Sequence, residues 1–279
     1  MMKAGLVIVA LLLTAGGAAA DPVRIGASDG IYADLARQLG ETGVAVTSTK
    51  PGKTTGSSTR AFPTSDIVVC SGTKADAWLC DSARQAAPPP VVLEAVALTA
   101  NQQAEPAFPG YDTKTMLALA RQLAAELSRR LPAEAPRIAA SLTRIETGVR
   151  NIDRKIEEIA HGYERADVIV ADQLSRNFAD QLHFKVQNEA SLRGLPHGAA
   201  PSAAAVAAWN DAVQRRKASI LLYDQDAATP AVKELVAAAN DTGMPVVGLR
   251  ENLPSGLHYQ QWMLRQLNAV HGALNEAAP

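Results

Sequence analysis

The residues best equipped to hold a ligand stand at the ends of apolar runs. In the C-terminal half, "SILLYDQD" closes on Tyr223, Asp224 and Asp226, and "PVVGLRE" closes on Arg250 and Glu251. Earlier, Tyr111 and Asp112 end the polar stretch "NQQAEPAFPGYDT", which leads into the periodic run "KTMLALARQLAAEL". Carboxylates and phenolates are hard oxygen donors and favour ions such as manganese or ferric iron. Aromatic residues beside an arginine suit a different ligand, a small organic solute laid on an apolar floor and fixed at its polar ends. Simpler local roles compete with both: Asp112 is placed to cap the helix beginning at "TKTM", and Asp224 or Asp226 to cap one beginning near Pro230. Catalysis has little to work with, since no Gly-x-Ser-x-Gly, His-Glu-x-x-His or Cys-His pairing occurs. An enzyme is not expected.

The elements that must position these residues alternate. "VRIGAS", "VAVTST", "DIVVCSG" and "PVVLEAV" have the compact apolar character of buried strands, and between them "IYADLARQLGE" and "ADAWLCDSARQ" have helical spacing. Such alternation predicts an α/β lobe with a mainly parallel sheet, whose ligands sit outside the carboxyl ends of the strands, here at Ser28-Asp29, Ser71-Gly72 and the polar stretch 101–113. "KPGKTTGSSTRAFPTS" has no apolar period and reads as a loop, expected to be mobile. Ile138, Leu142, Ile145, Val149, Ile152, Ile156 and Ile159 then recur at three- and four-residue steps, which predicts one long amphipathic helix starting at Pro132 or Pro136 and ending at Gly162. Strand and helix patterns resume from "DVIVA" to "YQQWMLRQLNAVHGAL". The expected organisation is a lobe over 21–131, a connecting helix over 132–165 and a second α/β lobe over 166–279, with a ligand cleft between the lobes.

The first twenty residues carry one charge, Lys3, then an apolar run and small residues ending in Ala18-x-Ala20. This is the pattern of a secretory signal peptide cleaved near Ala20, with no later segment apolar enough to span a membrane. Of 27 basic and 28 acidic residues the leader holds only Lys3, so the mature chain has a charge of −2 and no basic block. Nucleic acid is therefore not an expected partner. Cys70 and Cys80 are the only cysteines. In an oxidising compartment they are expected to form a disulfide rather than a metal site, as the N-terminal half has no histidine. His258 is expected in a surface loop, His161, His183 and His271 in solvent, and Trp262, Met263 and Leu267 in the core.

"YADLARQLG", "SDIVVCSGTKADAWL", "YDTKTMLALARQLAAEL", "ADVIVADQLSRNFADQL" and "ILLYDQDAATPAVKELVAAANDTGMPVVGLRENLPSGLHYQQWMLRQL" occur in one order through the mature chain. Together they resemble the zinc- and manganese-type (cluster A-I) periplasmic solute-binding proteins of ABC importers. The last block, with its Thr-Pro, "PVVG" strand, glutamate and Tyr-x-x-Trp-Met helix, is the most specific. The resemblance implies a periplasmic, monomeric two-lobed receptor that traps one ion between its lobes and delivers it to an ABC permease. It also implies metal ligands, and here the chain departs from the pattern. The first-lobe loop that normally holds a histidine has none, and the Asn-Pro-His segment falls on "PAF", with Phe108 in the histidine's place. The third ligand falls near Glu189 or His197, and the acidic one on Glu251; the family's Tyr-Asn-x-Gln has become Tyr223-Asp224-Gln225-Asp226. Loss of imidazole removes most of the basis for selecting zinc. Two readings stay open: a transported divalent or trivalent transition metal held by Asp224, Asp226, Glu189 and Glu251, or a metal complex or organic solute held by Phe108, Tyr111 and Arg250. A periplasmic accessory or metallochaperone role is a third. No resident cofactor is expected.

Overall fold

The computed structural model describes residues 21–49, 62, 64–74, 76–99, 108–192 and 199–277. The expected leader, most of the 50–65 loop and His197 lie outside the described residues. The first lobe runs β1 (Val23–Ala27), α1 (Gly30–Gly40), β2 (Val44–Ser48), β3 (Ile67–Cys70), α2 (Ala77–Arg84), β4 (Val91–Glu94) and α3 (Thr113–Arg130). After a 3-10 turn at Pro132–Glu134 comes α4 (Ala135–Gly162). The second lobe has β5 (Asp167–Val170), α5 (Gln173–Gln181), β6 (Lys185–Val186), α6 (Glu189–Leu192), α7 (Ala203–Gln214), β7 (Ile220–Asp224), α8 (Pro230–Asp241), β8 (Val246–Leu249) and α9 (Tyr259–Ala277). Among the described residues no helix is long and apolar enough to cross a membrane.

Each lobe has a four-stranded, fully parallel sheet, in the orders β2-β1-β3-β4 and β6-β5-β7-β8. The same winding is thus used twice. In either sheet the chain reverses its direction of travel between the two central strands, and a crevice opens at their carboxyl ends. The short apolar runs read as strands because both faces are covered: Ile67, Val68, Val69 and Cys70 of β3 and Ile220, Leu221 and Leu222 of β7 are all fully buried. Phe62 lies against Gly26 of β1, where a Cβ would fall 2.2 Å from its ring, so only glycine fits there.

At 28 residues, α4 is about 42 Å long. It buries Ile138, Ile145, Val149, Ile152 and Ile159 against α1, α3 and α9, while Leu142 and Ile156 of the expected stripe are partly buried. Gly148 sits where α9 crosses, since a Cβ there would stand 2.5 Å from Gln260. The last helix also reaches back to the first lobe. Asp34 of α1, buried, accepts hydrogen bonds from the backbone N–H of Tyr259 at 2.8 Å and from Gln38 Nε2 at 2.6 Å, and lies 2.8 Å from His258 Nδ1. A carboxylate on α1 therefore caps the N-terminus of α9 from another element. Gln38 and Gln260 are hydrogen-bonded through both amides. The α1–α4–α9 joint is thus polar as well as packed, which fixes the lobes more firmly than a bare linker would.

Candidate functional site

The carboxyl ends of the two sheets face one another. Tyr111, in the 3-10 turn before α3, is 1% exposed, and its hydroxyl donates to the Arg250 carbonyl beyond β8 and lies 3.1 Å from Gln266 Oε1 on α9. Gln266 Oε1 also accepts from the Arg250 backbone N–H at 2.7 Å. The Tyr111 ring packs edge-on to Phe178 of α5 and Trp262 of α9. This turn of the first lobe is therefore riveted to the second.

Around it stand carboxylates from both lobes. Asp29 follows β1 and caps α1, accepting from Ile31 N–H at 2.7 Å. Asp172 follows β5 and caps α5, accepting from Ser175 N–H at 2.8 Å and, with its other oxygen, from Asp224 N–H at 2.5 Å. The two are counterparts, since β1 and β5 occupy the same place in their sheets. Asp76 accepts from Ser71 N–H, Ser71 Oγ and Gly72 N–H at 2.7, 2.6 and 3.1 Å, holding the turn after β3. Asp224 ends β7, 1% exposed, and accepts from Asp226 N–H at 2.8 Å. Glu251 follows β8, partly buried.

These groups sense one another across the lobes. Burial pushes the Asp29 carboxyl up to about 6, against the backbone bond from Ile31, and the charges of Glu251 and Asp76 add to the rise. Burial likewise raises the Tyr111 hydroxyl well above its usual range, against the Gln266 hydrogen bond, with Asp224, Glu251 and Asp172 contributing. Like charges gathered at the meeting point of two crevices disfavour one another's ionised forms. No three of these carboxylates have ligand atoms within 4.8 Å of one another, so a bare ion held here must bridge through water or draw the lobes together.

The remaining expected residues are placed as follows. Phe108 is buried at 8% exposure. Asp112 caps α3, accepting from Lys114 N–H and Thr115 Oγ1 at 3.2 and 2.5 Å. Tyr223 lies over Gly248, and Arg250 pairs with Asp226 at 2.8 Å. Glu189 pairs with Arg176 at 2.9 Å. Neither Asp224 nor Asp226 caps α8: Thr229 does, accepting from Val232 N–H, because it occupies the residue immediately before Pro230. Cys70 and Cys80 form the expected disulfide, with Cα atoms 6.2 Å apart. Trp262, Met263 and Leu267 are core residues. His161 and His183 lie at the ends of α4 and α5 that lead into the amino ends of β5 and β6, away from the facing carboxyl ends. His271 departs from expectation: it is partly buried, 2.6 Å from Lys155 Nζ. A cavity of about 400 Å³ lined by Arg216, Lys217, Ser219 and Met244 also opens at the amino ends of the second sheet.

Sequence reasoning placed Asp29 at a strand end where ligands sit but counted none of Asp29, Asp76 and Asp172 among the candidate ligands. A signal existed for Asp29 and Asp172, each the first acidic residue between a central strand and its helix, but that position is also an ordinary N-cap.

No curated protein sequence matches the chain. Its fold is that of FpvC from Pseudomonas aeruginosa in complex with Mn²⁺ (16% identity, 92% of this chain and 100% of that one, TM-score 0.72). A crystal structure of ZnuA (16%, 92% and 98%, 0.67) and the periplasmic zinc-binding protein TroA from Treponema pallidum (14%, 91% and 99%, 0.69) are similar to it as well. The family model for the periplasmic zinc-uptake complex component A, ZnuA, matches residues 25–273. The chain therefore belongs to that family, the solute-binding receptors of metal-uptake ABC importers.

Proposed function

We propose that this receptor carries a metal cation in the crevice between its lobes and holds it through oxygen donors, with Asp29, Asp224 and Glu251 as the nearest ligands. The observation that supports the reading is geometric: Asp29 after β1, Asp172 after β5 and Asp224 at the end of β7 all stand at strand carboxyl ends, and the Tyr111–Arg250 contact ties the first lobe to the strand end that carries Glu251. Asp76 and Asp172 hold the strand-end turns and add negative charge behind the ligands. Tyr111 serves as the rivet beneath the site rather than as an open apolar floor, and Phe108 is buried, so an organic solute finds less support. Such a donor set suits Mn²⁺ and similar hard ions better than a site built on imidazole. The receptor delivers its cargo to an ABC permease from the periplasm, the location of its family.

The test is a cation titration of chelator-stripped, oxidised protein, followed by thermal unfolding and calorimetry. One equivalent of Mn²⁺ is expected to raise Tm, and Glu251→Gln to lose most of that rise. A first-row divalent series in which no ion shifts Tm would remove the proposal.

A further inference from the structure

Behind the wall of the crevice lies a second set of donors. Cys70 ends β3, and its register partner on β4 is Glu94. Cys80 comes from α2, and both cysteines are fully buried. The two sulfurs and a Glu94 carboxylate oxygen all lie within 4.8 Å of one another, the one group of three His, Cys, Asp or Glu ligands this close among the described residues. Arg84 donates to Glu94 Oε1 at 2.5 Å.

We propose that reduction of the Cys70–Cys80 disulfide turns this place into a binding site for a zinc-class cation, held by both thiolates and Glu94 with water in a fourth position. A dithiol reductant supplies the electrons. One of its thiolates attacks a protein sulfur, its second thiol resolves the mixed disulfide, and it departs as its own disulfide, leaving two protein thiols. The cation displaces their two protons. Two thiolates and a carboxylate around a divalent ion leave one net negative charge, which the Arg84 guanidinium offsets from outside. Metal–sulfur distances of about 2.3 Å place two thiolate sulfurs about 3.8 Å apart in a tetrahedral site, a spacing that Cys70 and Cys80 reach once the bond is opened. Access follows from the packing: Leu79 and Ala83 of α2 join Phe62 and Val68 in a small core separate from the main one, so α2 can open locally without disturbing the lobe. The donors are distinct from those of the crevice, and the proposal stands whether or not that site binds a cation.

The experiment compares the full chain, stripped of metal, in disulfide and dithiol-reduced forms, each titrated with Co²⁺ alone after removal of the reductant. The reduced protein is expected to take up one more equivalent than the oxidised one, with a thiolate-to-cobalt charge-transfer band that Zn²⁺ abolishes. Oxygen donors in the crevice give no such band. Glu94→Gln in the reduced form is expected to weaken this uptake by at least about tenfold, as loss of a ligand should exceed loss of an outer-shell partner. A reduced protein with no added equivalent overturns the proposal. So does an equal affinity in Glu94→Gln, which would mean that two thiols of an opened chain bind the ion without the β3–β4 edge.

Discussion

Replacing Asp29 with asparagine separates the capping role of this residue from its charge. Asparagine keeps an oxygen for the Ile31 N–H and is an equally good cap, so α1 should be unaffected. What disappears is the ionised carboxylate, whose pKa is raised from 3.8 to about 6 by burial and by Glu251 and Asp76. The unfolded carboxyl releases its proton near pH 4 and the folded one only near pH 6. Between these values the folded state binds more protons, so stability falls as pH rises through this window and stays lower above it. A displacement of about two pK units corresponds to roughly 2–3 kcal/mol. Asp29→Asn should therefore be more stable than the parent at pH 7 in the presence of chelator, by roughly 4–12 °C in Tm for a chain of this size. The advantage should shrink as pH falls from about 6 and vanish below about 4, where both side chains are neutral. Thermal unfolding of both proteins across this range measures it. A gap that does not change with pH, or a variant less stable at neutral pH, would refute the electrostatic account of the crevice. With Mn²⁺ added the order should reverse, because the parent recovers its charge cost on binding and the variant lacks a ligand.

Other outcomes follow from the joint and the caps. Asp34→Ala removes the acceptor that caps α9 and leaves the Tyr259 N–H buried, so urea unfolding should show a loss of about 2–4 kcal/mol, with Asp34→Asn losing less. A loss below about 0.5 kcal/mol would mean that α9 is held by packing alone. Thr229→Ala should cost about 1 kcal/mol as a lost cap, whereas Asp226→Ala should stay within about 0.5 kcal/mol, since its pair with Arg250 is partly exposed. The reverse order in equilibrium unfolding would restore Asp226 as the cap.

Much of the architecture was legible because it rests on local rules. Strands buried on both faces must be apolar runs, a long helix packed along one side must show a three-to-four period, and Asp112 before "TKTM" had to cap α3; each occurs where the pattern placed it. The disulfide followed from two cysteines in a chain expected to be exported. Local rules failed where capping side chains stand close together: the sequence pointed to Asp224 or Asp226 for α8, but a cap is decided by backbone geometry to within a single residue, and Thr229 holds that place. They could not reach the joint at all: Asp34 and Tyr259 are 225 positions apart, and nothing in either neighbourhood announces the other. The same holds for the crevice. Asp29 and Asp172 look like helix caps in the sequence, and they are; only the facing of two equivalent sheets brings Asp29 within the field of Glu251 and turns ordinary strand ends into one acidic site. Cys70 and Glu94 are likewise neighbours solely through the register of β3 with β4. Sequence determined which elements form, because secondary structure answers to neighbours along the chain, whereas the donor sets were decided by tertiary structure, because charges act through space.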